Sequence, residues 1–118
     1  MKTPSIGFIG GGRITRILLQ AFANKKINLV QATVFDINPE ASAKLKDRFP
    51  DIHIGSLEEA ASKAIVILCL HPTAIIETLE KIAPMITSST VLGSLAPKIS
   101  SEKILAKLPQ INRLVRMI

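Results

Sequence analysis

Residues 6–15 read IGFIGGGRIT, and the fold predicted for this chain depends on them. A short apolar run, typical of a buried strand, ends directly in three glycines, and a helical pattern follows them. Gly10 and Gly12 match the first two positions of the motif G-x-G-x-x-G, in which a tight turn lets a pyrophosphate approach the positive end of a helix. Thr15 stands at the third position, where glycine or alanine is usual. The stretch therefore predicts dinucleotide binding, with a motif weakened at its last position.

Strands alternate with helices along the whole chain. The apolar patterns predict strands at residues 5–10, 29–35, 52–54, 65–70, 90–96 and 114–118. Helical spacing and capping residues predict helices at residues 13–25, 39–48, 57–63, 72–81 and 101–107. Pro39 suits the first position of its helix, and Asn38 is a natural cap before it. This order predicts a single α/β domain, a doubly wound parallel sheet of the Rossmann type with helices on both faces and strand order 3-2-1-4-5-6.

The composition favours one globular domain and argues against nucleic acid as its partner. The chain has 118 residues, 47% of them hydrophobic, and its longest apolar run, residues 64–70, is too short to cross a membrane. The N-terminus shows no export signal, which predicts a cytoplasmic location. The net charge of +6 comes with only 3% aromatic residues and scattered lysines. These features favour a phosphate ligand or a solvated surface over nucleic acid.

Two residues near the glycines each have more than one possible role. Asp36 follows the second strand, where a carboxylate can bond the adenosine ribose hydroxyls; the alternative is that it forms a turn or caps a helix. A ribose-binding carboxylate would repel a 2′-phosphate, so Asp36 predicts a slight preference for NAD over NADP. Arg13 either contacts phosphate or is solvated. A metal site is not expected, because His53 and His71 lie in different segments without companion ligands.

Four segments together resemble one family, the pyrroline-5-carboxylate reductases. They are residues 6–12, 70–72, 94–97 and 115–117. The resemblance implies an NAD(P)H-dependent reductase that passes hydride to a cyclic imine in proline biosynthesis. It also implies that a helical second domain, absent from this chain, supplies the dimer interface and most contacts to the imine. On this reading the parent is an enzyme that forms homo-oligomers, and residues 1–118 alone are an inactive cofactor-binding domain.

The same resemblance implies a set of cofactor-binding residues. Those expected around the pyrophosphate are Ile9, Gly10, Gly11, Gly12, Arg13 and Ile14. Those expected around the adenosine are Asp36, Asn38 and Ser56. Those expected around the nicotinamide and its ribose are Cys69, Leu70, His71, Pro72, Ser94, Leu95 and Ala96. The chain departs from the family pattern at Thr15, His71 and Pro97, which puts the substrate in doubt more than the fold.

No catalytic residue is assigned from the sequence. Cys69 lies inside an apolar run and is expected to be buried and inert, and His71 is expected to be a structural residue at a helix entry.

Three alternatives to the reductase stay open: a binding module that senses NAD(P) without chemistry, a deazaflavin-dependent NADP reductase, and a methyltransferase-like fold. An antiparallel strand after the fifth strand would favour the methyltransferase.

Overall fold

A computed structural model describes residues 4–95, 100–111 and 113–116. The six strands in these ranges form one parallel sheet. The strands are β1 Ile6–Ile9, β2 Ala32–Phe35, β3 His53–Ile54, β4 Ile65–Leu68, β5 Val91–Ser94 and β6 Arg113–Arg116. The helices are α1 Arg13–Asn24, α2 Pro39–Arg48, α3 Leu57–Ala61, α4 Pro72–Ile82 and α5 Ser101–Lys107. The strand order is β3-β2-β1-β4-β5-β6, which confirms the predicted doubly wound fold and its predicted order. Because β6 runs parallel to β5, the feature that would favour a methyltransferase is not found.

Helices cover both faces of the sheet, as predicted. Neighbouring residues of a strand point to opposite faces, so Phe8 and Ile9 of β1 enter two different hydrophobic clusters. The cluster around Phe8 contains Leu19 of α1 and Leu45 of α2. The cluster around Ile9 is covered by α3, α4 and α5, which contribute Ala60, Leu79 and Ile104. The glycine-rich turn after β1 therefore lies at the edge of the sheet between the two helical layers.

Several predicted elements are longer than those observed. The expected strand at residues 29–35 begins only at Ala32, because Leu29–Gln31 form a 3-10 helix capped by Asn28, whose side chain accepts from the amide of Val30. The first strand stops before Gly10, whose φ of 110° cannot continue a strand. Residues 96 and 117–118, expected in strands, lie outside the described residues. In the described ranges, no helix is long and apolar enough to cross a membrane.

Two strand-to-helix connections begin as the sequence predicts. α2 starts with Pro39, and the Asn38 side chain accepts from the amide of Glu40 at 3.0 Å. The short helix α3 starts with a capping box, in which Ser56 and Glu59 each bond the other's backbone amide. These caps fix where the chain leaves the carboxyl ends of β2 and β3. That edge of the sheet carries the residues discussed next.

Candidate functional site

Gly10 closes the turn after β1 in a conformation that only glycine adopts easily. Its φ is 110°, and a Cβ built there would lie 2.3 Å from the carbonyl oxygen of Cys69. Its amide donates to the carbonyl oxygen of Phe35 at 2.7 Å. The turn is thus held between the ends of β2 and β4, the two neighbours of β1. This is the topological switch point of the sheet, where doubly wound folds bind their ligands.

Gly12 leaves an open space in front of α1. No atom lies within 4 Å of a Cβ built at this position, apart from its immediate chain neighbours. Gly12 is the N-cap of α1, no side chain caps the helix, and its first turn carries no acidic residue. The amides of the first turn and the positive end of the helix dipole therefore face this space. Such a helix start can bind an anion.

Thr15 keeps the helix and strand in close contact despite its departure from the motif. The side chain is fully buried in the first turn of α1, and its hydroxyl donates to the carbonyl oxygen of Gly10. The thiol of Cys69, which follows β4, also interacts with this hydroxyl. A small polar side chain thus fills the place of the usual glycine or alanine, and its polar group is satisfied. The weakened third position does not disturb the turn.

Asp36 ties the glycine turn to the end of β2. Its Oδ2 accepts from the amide of Gly11 at 2.6 Å, and its Oδ1 accepts from the amide of Asn38 at 2.7 Å. A Cβ at Gly11 would lie 3.2 Å from the Cβ of Asp36, which leaves little room for a larger residue. Asp36 therefore stabilises the turn, which is one of the two roles predicted for it. Contact between Asp36 and a ribose stays a prediction.

A pocket of about 360 Å³ opens between the glycine turn, α1 and α2. Gly11 and Gly12 line it from the turn, and Arg13 and Arg16 line it from α1. The residues that line it from the side of α2 are Asn38, Glu40, Ala41, Lys44, Leu45 and Arg48. The pocket therefore brings residues predicted for the pyrophosphate together with Asn38, which is predicted for the ribose.

Arg16, Lys44 and Arg48 were not expected in the site from the sequence. A signal for them exists, since Arg13 and Arg16 are three residues apart, and Lys44 and Arg48 are four apart. Each pair therefore lies on one face of its helix. The sequence does not show that the two faces meet across one pocket. That follows from the packing of α1 and α2 on the same side of the sheet.

Of the residues predicted for the nicotinamide, residues 69–71, 94 and 95 lie along the same edge and do not line this pocket. Cys69 and Leu70 follow β4, and Ser94 ends β5, paired in register with Leu68. The amide of Leu95 donates to the carbonyl oxygen of Leu68 at 3.3 Å. Ala96 lies outside the described residues. The carboxyl ends of β1, β4 and β5 thus form a continuous rim beside the glycine turn.

Two other residues predicted for the cofactor site are N-cap residues of helices. His71 is the exposed N-cap of α4, which begins at Pro72, and its Nδ1 lies 3.1 Å from the hydroxyl of Thr73. Ser56 caps α3, where its amide and His53 bond the Glu59 carboxylate and lower the pKa of that group. Ile14, in the first turn of α1, is 42% exposed.

Within the described ranges, no three His, Cys, Asp or Glu side chains are grouped so as to hold a metal.

Cys69 should react slowly in the folded protein. Burial raises the pKa of its thiol from the ordinary value of 9.0 to about 11, although the bond with the Thr15 hydroxyl opposes this shift. At pH 8 the reactive thiolate should therefore be about 100-fold rarer in the folded chain than in the unfolded one. Iodoacetamide labelling at pH 8, followed by mass spectrometry with and without urea, measures this difference. Equal labelling rates would show that the thiol is not shielded.

Comparisons with known proteins agree with this geometry. A family model described as "NADP oxidoreductase coenzyme F420-dependent" matches residues 5–97. Pyrroline-5-carboxylate reductase of Pseudomonas aeruginosa is 27% identical over 117 residues, which cover 98% of this chain and 43% of that protein. The solved pyrroline-5-carboxylate reductase of Coxiella burnetii is 21% identical with a TM-score of 0.90, covering 98% of this chain and 43% of its own.

A second solved structure has a bound cofactor. Pyrroline carboxylate reductase of Plasmodium falciparum, with NADP bound, is 22% identical with a TM-score of 0.80. The match covers 98% of this chain and 42% of that structure. The chain therefore spans less than half the length of each of these relatives.

Proposed function

The chain belongs to the family described as "NADP oxidoreductase coenzyme F420-dependent", and we propose that it is the NAD(P)H-binding domain of a reductase. The observation that carries the proposal is the open space at Gly12, in front of a helix start that no side chain caps. A pyrophosphate fits there, because it brings negative charge to the helix dipole and acceptors to the amides of the first turn.

The residues of this chain would position the cofactor along the sheet edge. The pyrophosphate would contact the turn from Gly10 to Gly12, and the adenosine ribose would lie near Asp36 and Asn38. The nicotinamide would lie toward the ends of β4 and β5, near Cys69 and Ser94. When bound, the cofactor supplies the hydride. The chain contributes by fixing the cofactor in one orientation, which can account for a large part of the rate of a two-reactant step.

We propose that the acceptor is the C=N bond of a cyclic imine, as the names of the similar reductases suggest. Because the chain covers 43% of each curated relative, most contacts to the imine would come from a further domain in the complete protein. The rim at the ends of β4 and β5 would then form one wall of the reaction site. The complete protein would carry out the reaction, and this chain would only bind the cofactor.

Binding without turnover is the expected result for the chain alone. Calorimetric titration should detect binding of a nicotinamide dinucleotide. The rate of NADH or NADPH oxidation in the presence of pyrroline-5-carboxylate should be no higher than in buffer without protein. The physical reason is that only one of the two reactants can be positioned here. The complete reductase of Pseudomonas aeruginosa serves as the positive control for turnover. Imine reduction by residues 1–118 alone would contradict the proposed division, and lack of any dinucleotide binding would contradict the proposed function.

The family description supports a second candidate, a reductase that exchanges hydride between NADP and coenzyme F420, which is a deazaflavin. The roles of Gly10, Gly12 and Asp36 would be the same in this enzyme, because both candidates bind a dinucleotide. The two candidate reductases differ in the molecule that exchanges hydride with the dinucleotide, which is an imine in the first and coenzyme F420 in the second. Reduction of F420 by NADPH in the complete protein, without reduction of the imine, would favour the second candidate.

A further inference from the structure

The solvent-facing side of α1 borders a second concave surface, of about 480 Å³. We call it the α1 groove, and its lining residues are Arg16, Ile17, Gln20, Ala21 and Asn24 of α1 together with Arg48 of α2. The five residues of α1 recur at spacings of three or four positions, so they share one side of the helix. The buried residues of α1, Thr15 and Leu19, lie on a different side. The α1 groove is therefore formed by side chains that the hydrophobic core does not use.

The middle of the α1 groove is apolar. Ile17 is 50% exposed, and Ala21, four positions later on the same side of the helix, is also exposed. Polar and charged residues surround these two side chains, and protein interfaces commonly have such an apolar centre with a polar rim. Covering Ile17 and Ala21 would remove aliphatic surface from water, which favours a partner with an apolar side chain.

The rim of the α1 groove is positively charged. Arg16 and Arg48 belong to it, none of the lining residues is acidic, and α1 contains no Asp or Glu. Neither arginine takes part in the ion pairs found among the described residues, and the Nη2 of Arg48 lies 3.4 Å from the neutral Oε1 of Gln20. Two more exposed cations, Lys25 and Lys26, follow at the end of the helix. A carboxylate is thus the complementary group that both arginines lack.

Charge and length together favour one kind of occupant. The chain has a net charge of +6, and two copies that met through the α1 groove would bring two arginines from each copy together, so a second copy is disfavoured. The groove follows α1 from Arg16 to Asn24, which is about 12 Å at the ordinary rise per residue. This length corresponds to about two turns of a second helix, and a helix bound in a groove uses apolar anchors at such spacings.

We propose that the α1 groove binds an acidic amphipathic helix of a partner protein. An aliphatic side chain of that helix covers Ile17 and Ala21, and carboxylates beside it pair with Arg16 and Arg48. Arginine suits this role, because its planar guanidinium can bind a carboxylate through two hydrogen bonds. The inference does not depend on the proposed function. Because both arginines also line the pocket at the glycine turn, binding is tested without dinucleotide.

The probe is a fluorescein-labelled helical peptide of about 14 residues, in which leucines at positions i and i+4 are flanked by glutamates. Fluorescence anisotropy at low ionic strength should show that the 118-residue chain binds it with a Kd of about 100 μM. Added salt should weaken the binding, because exposed charges are screened. The same peptide with lysine in place of glutamate should bind at least about tenfold more weakly, since it brings like charges to the rim.

Two variants of the chain test the rim and the centre separately. Gln20→Glu places a carboxylate beside Arg48 without removing either arginine, and it should weaken binding of the glutamate peptide about fivefold. Ile17→Ser removes the apolar centre and should weaken it about tenfold. Gln31→Glu is the matched control, because it makes the same change of charge at an exposed residue outside the groove, and it should alter binding less than about twofold.

Several results would overturn the inference. Equal binding of the glutamate and lysine peptides would do so, as would unchanged binding of the glutamate peptide by the Gln20→Glu and Ile17→Ser variants. Dimers of the chain in sedimentation equilibrium, dissociated by Ile17→Ser, would assign the groove to a second copy instead. Binding of phosphatidylglycerol vesicles that Gln20→Glu abolishes, without binding of the glutamate peptide, would assign it to a membrane surface.

Discussion

Replacing Gly12 with leucine should abolish dinucleotide binding and leave the fold intact. A Cβ at this position meets no atom within 4 Å, so the protein itself has room for the side chain. The backbone angles of Gly12, φ −87° and ψ −153°, are extended and open to any residue. A leucine would instead fill the space in front of α1 that the pyrophosphate needs. We expect no binding by calorimetry up to millimolar cofactor, with an unchanged circular dichroism spectrum.

A smaller side chain at Gly12 should weaken dinucleotide binding less than leucine does. Gly12→Ala adds one methyl group and should weaken binding while leaving a measurable affinity. If Gly12→Leu bound the cofactor normally and stayed folded, the glycine would be only a turn residue and the pyrophosphate would lie elsewhere. Unfolding of the leucine variant would also contradict the expected result, because the open space would then not tolerate a side chain.

Replacing Gly7 with alanine should destabilise the protein by at least about 3 kcal/mol. A Cβ on this residue of β1 would lie 1.9 Å from the backbone carbonyl oxygen of Ala60 in α3. The strand cannot easily move away, because it is paired on one side with β2 and on the other with β4. The helix is fixed by the capping box of Ser56 and Glu59. Urea denaturation, followed by circular dichroism, measures the free energy of unfolding.

Gly12→Ala is the matched control for this prediction, since it makes the same chemical change where there is space. It should alter the free energy of unfolding by no more than about 1 kcal/mol, the usual range for a change at a helix N-cap. Similar free energies of unfolding for the Gly7 and Gly12 variants would mean that β1 and α3 are not in the tight contact described here.

The sequence-based prediction was most accurate where local patterns coincide with the fold. The alternation of strands and helices predicted the order of the six strands, and the bounds predicted for α2 and α5 are those observed. It was wrong at residues 29–31, where apolar residues suited to a strand form a 3-10 helix. There the Asn28 side chain offers the backbone a local hydrogen bond that outweighs strand propensity.

The fold and the position of the glycine turn could both be predicted from the sequence, since both follow from spacings of a few residues along the chain. The contacts of Asp36 and the grouping of the basic residues around one pocket depend on the tertiary structure. Asp36 bonds Gly11, which lies 25 positions earlier, and Arg16 of α1 faces the same pocket as Lys44 and Arg48 of α2. Such neighbours are created when helices pack side by side on a sheet, and no local pattern records which of their exposed faces meet.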